Sequence, residues 1–221
     1  GTVMITAHGT SNQTRRSVRQ QGLQLKDATC PLVHYAHKQI RKLTANGCHP
    51  VIIGRNGHVE VLGLTDDLSE YDVVLNEQDI DTIKFHKRFG VIAQTTQPIS
   101  HVQTLVKYLK SRFPKSTVMF VDTVCQPTKQ RQSAAEELAS ESDVVLVIGG
   151  VNSNNSKELA KTCTKFCAKV HHIQSPDDIQ VNWLNNANKL GITAGTSTPD
   201  EIIYAVEDRV QNILANELTK N

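Results

Sequence analysis

Aromatic side chains make up only 5% of this chain, so the stacking platforms on which single-stranded nucleic acids lie are not expected. Net charge is small as well. Across 221 residues, 24 Lys and Arg stand against 22 Asp and Glu, a formal +2 that is too little for a general nucleic-acid surface. The two signs are interspersed, and the densest basic cluster, Arg15, Arg16 and Arg19, reads as a solvated helix face. No apolar run reaches the roughly 18 residues of a membrane-spanning helix. The opening Gly1-Thr2-Val3-Met4-Ile5-Thr6 is strand-like, with no basic segment and no cleavage pattern, so these residues are not expected to be a signal peptide. Five cysteines without disulfide-scaffold spacing fit a reducing cytoplasm better than secretion. No Walker or G-x-G-x-x-G pattern is present, so nucleotide binding is not indicated. The chain begins with Gly inside a strand, and a segment upstream of it is therefore expected.

What the sequence does have is six short apolar runs that each end in a knot of Ser, Thr, Asn, His or Cys. They start at Val3, Val51, Gly90, Thr117, Val144 and Leu190. Runs apolar on both faces read as parallel strands buried between helices, and in such sheets ligands collect beyond the carboxyl ends of the strands. The chemistry is expected in those loops, converging on one place. Between them lie helix-like stretches at Gln13 to Gln21, Pro31 to Asn46, Ile99 to Phe113, Gln130 to Ala139, Lys157 to Lys169 and Pro199 to Leu218. Shorter strands fit Leu23 to Asp27 and Val73 to Leu75. This alternation predicts an α/β fold with right-handed crossovers and parallel sheets. Without a Gly/Ser linker the domains must abut, with a boundary in the loop before Asp122.

Several loops carry chemistry, each with a plainer reading beside it. Asn152-Ser153-Asn154-Asn155-Ser156 would place four exposed donors and a helix end around an anion, or simply cap a helix. Gly195-Thr196-Ser197-Thr198-Pro199 repeats the arrangement on the last strand. Having both, with His8 and His58 at other strand ends, favours a phosphate-type ligand. Cys30 and Cys125 lie in strand-to-helix loops, either as small buried hydrophobes or as thiolates sharing a metal or iron–sulfur cluster. Cys163 and Cys167, four apart on an expected helix with His171 and His172 following, fit packing far better than a zinc site, and Cys48 reads the same way. Gly57-His58-Val59-Glu60 sets an imidazole two residues from a carboxylate, as a proton relay or as a loop salt pair.

Six stretches together resemble the LytB family, the 4-hydroxy-3-methylbut-2-enyl diphosphate reductases that end the non-mevalonate isoprenoid pathway. They are Ala7-His8-Gly9, Asp27-Ala28-Thr29-Cys30-Pro31-Leu32-Val33, Gly57 to Gly63, Gln94-Thr95-Thr96, Asn152 to Ser156 and Thr193 to Asp200, in family order across nearly the whole chain. The resemblance implies a trefoil of three small parallel-sheet α/β modules around a central 4Fe–4S cluster held by three cysteines. This chain would hold two of them and the tail of the first: residues 1–29 as that remnant, 30–121 as the second module, and 122–221 as the third with its C-terminal helix. Cys30 and Cys125 would be cluster ligands. His8, His58, Thr95, Ser153, Asn154, Asn155 and Ser197 would hold the diphosphate. Glu60, steadied by His58 and Thr95, would give the proton that lets the substrate hydroxyl leave as water. Two electrons from a ferredoxin or flavodoxin would complete the conversion to isopentenyl or dimethylallyl diphosphate.

Some family features are missing or changed. The first module's Cys, in an Arg-Gly-Phe-Cys-Ala-Gly-Val-like loop, and a second diphosphate-binding His have no counterpart here. In the relay loop, usually Gly-His-x-Gly-His-Pro-Glu, Arg55 replaces the first His and Val59 the Pro, while Asn154 stands where Ser is usual. The leading expectation is a LytB-type reductase whose first segment lies upstream or on a separate polypeptide. The alternative is a diphosphate-binding or regulatory homologue without redox chemistry, and a phosphate-binding α/β protein unrelated to LytB would require six chance matches.

Overall fold

The computed structural model of the protein describes the backbone of residues 1–218 and the side chains through residue 216. By its internal contacts the chain divides into two units, one ending at Cys125 and the other starting at Gln126. The first unit runs β1 (Thr2–Ile5), α1 (Asn12–Gln20), β2 (Gln24–Asp27), α2 (Pro31–Ala45), β3 (His49–Ile53), α3 (Val59–Thr65), β4 (Asp72–Val74), α4 (Glu77–Asp81), β5 (Arg88–Ala93), α5 (Ile99–Arg112) and β6 (Thr117–Phe120). The second runs α6 (Gln126–Glu141), β7 (Val144–Ile148), α7 (Asn154–Cys163), β8 (Val170–Ile173), two 3-10 turns, β9 (Leu190–Ala194) and α8 (Asp200–Leu218).

All strand pairs are parallel, as the doubly apolar runs require. In the first unit β1 pairs with β2 in a sheet of their own, and the larger sheet has the order β4-β3-β5-β6. The order in the second unit is β8-β7-β9. The pleat of the central strands divides their side chains between two cores. Val51, Ile53, Phe89, Val91 and Ala93 meet α5 residues Val102, Leu105 and Leu109 on one face, while Ile52 and Ile92 meet Ala36, Ile40, Val61 and Leu64 on the other. Likewise β7 sends Val144, Leu146 and Ile148 toward Val206 and Val210 of α8, and Val145 and Val147 toward Ala135, Ala139 and Leu159. Each Val, Leu, Ile or Phe side chain so buried contributes about 1.5–3 kcal/mol, which explains why short strands suffice.

Element ends follow local chemistry. Pro31 opens α2 at the first helical position, and Ser11, Asn76 and Ser153 accept backbone N–H groups as caps of α1, α4 and α7. The expected helix from Lys157 to Lys169 is corrected: α7 starts at Asn154, ends at Cys163, and β8 follows. Cys167 is therefore off the helix. Its thiol contacts the carbonyls of Asp143 and Lys169, Cys163 is fully buried with a thiol pushed up to about 11 by burial, and His171 stacks on Trp183 at 3.7 Å. These residues pack. Cys48 is likewise buried in the core around Ile52. Among the described residues no helix is long and apolar enough to cross a membrane.

His37 projects from the buried side of α2, and burial, with Arg41 and His34 beside it, lowers its pKa from 6.5 to about 4. The unfolded chain thus takes up this proton at a higher pH than the folded one. His37 should leave stability intact above pH 6.5 and remove about 3 kcal/mol as the pH falls from there to about 4. Urea unfolding across that window should give a shallower acid loss for His37→Gln than for the wild type.

Candidate active site

The two larger sheets change direction at β3/β5 and at β7/β9, and the loops leaving those strands carry most of the polar residues singled out in the sequence. Crevices beyond the carboxyl ends of strands at such reversals are where open α/β sheets bind ligands.

In the first unit the β3 and β5 loops meet at Glu60. This carboxyl stands in the first turn of α3 and is only 1% exposed. Thr95 accounts for both of its oxygens: the backbone N–H donates to Oε1 at 2.7 Å and the hydroxyl to Oε2 at 2.9 Å. Burial raises the pKa of Glu60, against the lowering effect of those two donors. His58 caps the same helix, its Nδ1 accepting the Glu60 N–H at 3.1 Å. Burial, His8 and Arg55 lower the pKa of His58, which favours the neutral ring. Accepting at Nδ1, the neutral form of the ring carries its proton on Nε2. His8, in the loop after β1, lies edge-on to it with ring centroids 5.7 Å apart.

The neighbouring backbone is locked around this group. Gln94 is fully buried, and its Oε1 accepts from the Arg55 N–H at 3.1 Å and from Gln97 at 3.3 Å. The side chains of Arg55 and Val59 themselves are exposed. The Thr95 carbonyl accepts the Cys125 N–H at 3.0 Å, and the Ala7 carbonyl accepts the Cys30 N–H at 3.0 Å. Both cysteines are half-buried, whereas Cys48, Cys163 and Cys167 lie in the cores. Among the described residues no three His, Cys, Asp or Glu side chains are gathered as for a metal ion. The fold thus brings His8, His58, Glu60 and Thr95 together, with the backbones of Cys30 and Cys125 tied to the β1 and β5 loops.

In the second unit Ser153 caps α7 through the Ser156 N–H, and Asn155 donates to the Thr196 hydroxyl at 3.2 Å, joining the β7 and β9 loops. Ser197 is exposed, and Ser153 and Asn155 are half-buried. The expectation of uniformly exposed donors is corrected at Asn154 and Ser156, which are buried because they begin α7 against the sheet. From the sequence, Ser156 stands only within that donor stretch, with no role of its own. It is 1% exposed, and its hydroxyl has no hydrogen-bond partner among the described residues. A Cβ on Gly149 or on Gly195 would fall 2.2 Å from that oxygen, so both glycines are required by the close approach. The repeated small residues Gly149, Gly150, Gly195, Ser153 and Ser156 were the available signal. Gln94 was missed because its role is to hold backbone, which no spacing reveals.

This constellation defines an α/β protein with a buried, threonine-held carboxyl in one unit and hydroxyl- and amide-bearing strand-end loops in the other. Comparison with known proteins agrees: the model of the LytB protein family matches residues 1–211, so the chain belongs to the LytB family. It is 34% identical over 224 residues to 4-hydroxy-3-methylbut-2-enyl diphosphate reductase of Aquifex aeolicus, covering all of this chain and 77% of that protein. The same enzyme of Haemophilus influenzae is 32% identical, with coverage of 98% and 71%. Two solved structures are similar. One is the (E)-4-hydroxy-3-methyl-but-2-enyl diphosphate reductase described as the terminal enzyme of the non-mevalonate pathway, with TM-score 0.62, 34% identity, and coverage of 96% of this chain and 76% of that one. The other, the reductase from Plasmodium falciparum, gives TM-score 0.86 and 27% identity, covering 95% and 66%.

The clash geometry makes a specific prediction. Gly195→Ala should destabilise the protein by about 1–3 kcal/mol, and adding Ser156→Ala should restore most of it, because only the hydroxyl is in the way. Gly149→Ala should not be rescued in this way, since its Cβ would also lie 2.8 Å from the Ser156 Cβ. Denaturant midpoints of the four variants and the wild type check both statements.

Proposed function

We propose that this chain carries out the reductive dehydroxylation of 4-hydroxy-3-methylbut-2-enyl diphosphate to isopentenyl and dimethylallyl diphosphate. The observation that carries the proposal is Glu60, a buried carboxyl whose pKa is raised and whose two oxygens are held by one threonine, in a chain of the LytB family. A carboxyl whose pKa burial raises is suited to hold a proton and donate it when a nearby hydroxyl leaves. In this reading Glu60 gives the proton, Thr95 fixes its oxygens, and neutral His58 orients it through Nδ1 and offers Nε2–H to substrate. His8, Ser153, Asn154, Asn155 and Ser197 hold the diphosphate, with His58 and Thr95 completing the substrate contacts.

A 4Fe–4S cluster belongs to the proposal. Cys30 and Cys125 fit it: both are half-buried in strand-to-helix loops, Cys30 immediately before α2 and Cys125 immediately before α6. When bound, such a cluster supplies the two electrons, received from a ferredoxin or flavodoxin, and a Lewis-acidic iron. The remaining three cysteines are core residues, so the third thiolate is assigned to a segment outside this chain's described residues. The separate β1-β2 sheet supports reading residues 1–29 as the remnant of a first module, ahead of modules at 30–121 and 122–221. A cytoplasmic location completes the reading.

The test is anaerobic reconstitution, with a candidate first segment added in trans, followed by viologen-driven turnover and iron and sulfide analysis. Turnover with a stoichiometric four-iron cluster is expected. Glu60→Gln should lower turnover at least about a hundredfold while iron content and diphosphate binding stay near wild type. Equal loss of iron would make Glu60 structural. The two-cysteine count favours a second reading, a diphosphate-binding homologue without redox chemistry, and the iron analysis decides between them.

A further inference from the structure

The first 50 residues hold seven Lys and Arg against Asp27 alone, whereas the rest of the chain holds seventeen against twenty-one Asp and Glu. The fold concentrates that charge. A cavity of about 350 Å³ bounded by α1 and α2 is lined by Arg15, Arg16, Arg19, His34, His37 and Arg41, with neutral Thr10 and Asn12 completing it and no carboxylate in the lining. Asp27 sits at the edge, engaged by Arg15 at 2.7 Å and by His34 at 3.5 Å. Arg16, Arg19 and Arg41 have no acidic partner among the described residues.

Two of the guanidiniums are already positioned. Arg15 is held by Asp27 and Thr29, and Arg41 donates from Nε to the His37 carbonyl at 3.1 Å, leaving its terminal nitrogens for a ligand. His37 is 8% exposed, and its Nε2 has no hydrogen-bond partner among the described residues. Like charges converging on a concave site repel one another until an anion enters, and guanidinium forks match phosphate oxygens in pairs. The volume lies within the roughly 300–1,000 Å³ of small-molecule pockets.

We propose that this cleft binds a compact anion carrying two or more phosphate groups, through residues none of which belong to the set assigned to the isoprenoid diphosphate. The convergence of arginines from two helices on one cavity favours a small polyanion over an extended acidic protein face. The shared chemistry is the oligophosphate, whether it stands free or forms part of a nucleotide.

Calorimetric titration with inorganic triphosphate, with ATP and with poly-glutamate tests this on the wild type and two paired variants. Triphosphate should bind the wild type with a steep salt dependence, and at least about tenfold more weakly when Arg16→Glu and Arg41→Glu are combined. Combining Asn155→Ala with Ser197→Ala should leave that binding in place, which separates this site from the second unit's loops. Equal affinity for ATP and triphosphate assigns recognition to the phosphates alone, and tighter ATP assigns a nucleotide; both support the proposal. Circular dichroism checks folding, and should the charge-reversed pair fail to fold, Arg19→Gln is expected to weaken binding severalfold. Wild-type-like affinity in a folded arginine variant would overturn the proposal, as would poly-glutamate binding more tightly than triphosphate.

Discussion

Thr95 satisfies both oxygens of a carboxyl group that the fold has removed from water, and the order of the first unit's site depends on that contact. Leaving a buried acid without donors is costly, so the pair fixes where the β3 and β5 loops stand relative to each other. Its effects spread through short links. The Thr95 carbonyl holds the Cys125 backbone, the Glu60 backbone sets the His58 ring, and buried Gln94 ties the Arg55 backbone to the same place. Two hydrogen bonds to one carboxyl therefore organise three strand ends.

The contact is possible because parallel connections force it. When β4 follows β3 on one side and β5 is laid on the other, the loops leaving β3 and β5 part and open a crevice between them. The second unit repeats the rule with β8 and β9 on either side of β7. There the crevice is filled differently: among the described residues no acid is buried, and two glycines draw the strands' ends close around the Ser156 hydroxyl. One topology thus yields two different strand-end clusters, distinguished by the side chains each crevice admits.

Much of this was legible in the sequence because burial on both faces of a strand leaves a clear mark, as at Val51-Ile52-Ile53 and Val144-Val145-Leu146-Val147-Ile148. Their polar ends located His8, His58, Thr95, Ser153 and Ser197 as strand-end residues. What stayed hidden has physical causes. The α3 helix is seven residues long and contains Gly63, so its periodicity is too brief to register, although it carries Glu60. The β8 strand reads Val170-His171-His172-Ile173, half-buried and polar in the middle, so it lacks the apolar run that marks the other strands, and the helical pattern before it carries on to Lys169. Arg16 and Arg19 are exposed, as a solvated helix face implies, but their convergence with Arg41 of α2 depends on how two helices pack.

Membership in the LytB family and a buried carboxyl whose pKa burial raises are what the proposed role of Glu60 rests on: a proton held out of water until a hydroxyl departs. The most direct test is the titration of Glu60 itself, followed by carbon NMR of the labelled side-chain carboxyl with Glu60→Gln assigning the signal. The account requires a midpoint clearly above the ordinary 4.5. A midpoint at or below that value would mean that the two Thr95 donors outweigh burial, and that Glu60 is an anion with no proton to give.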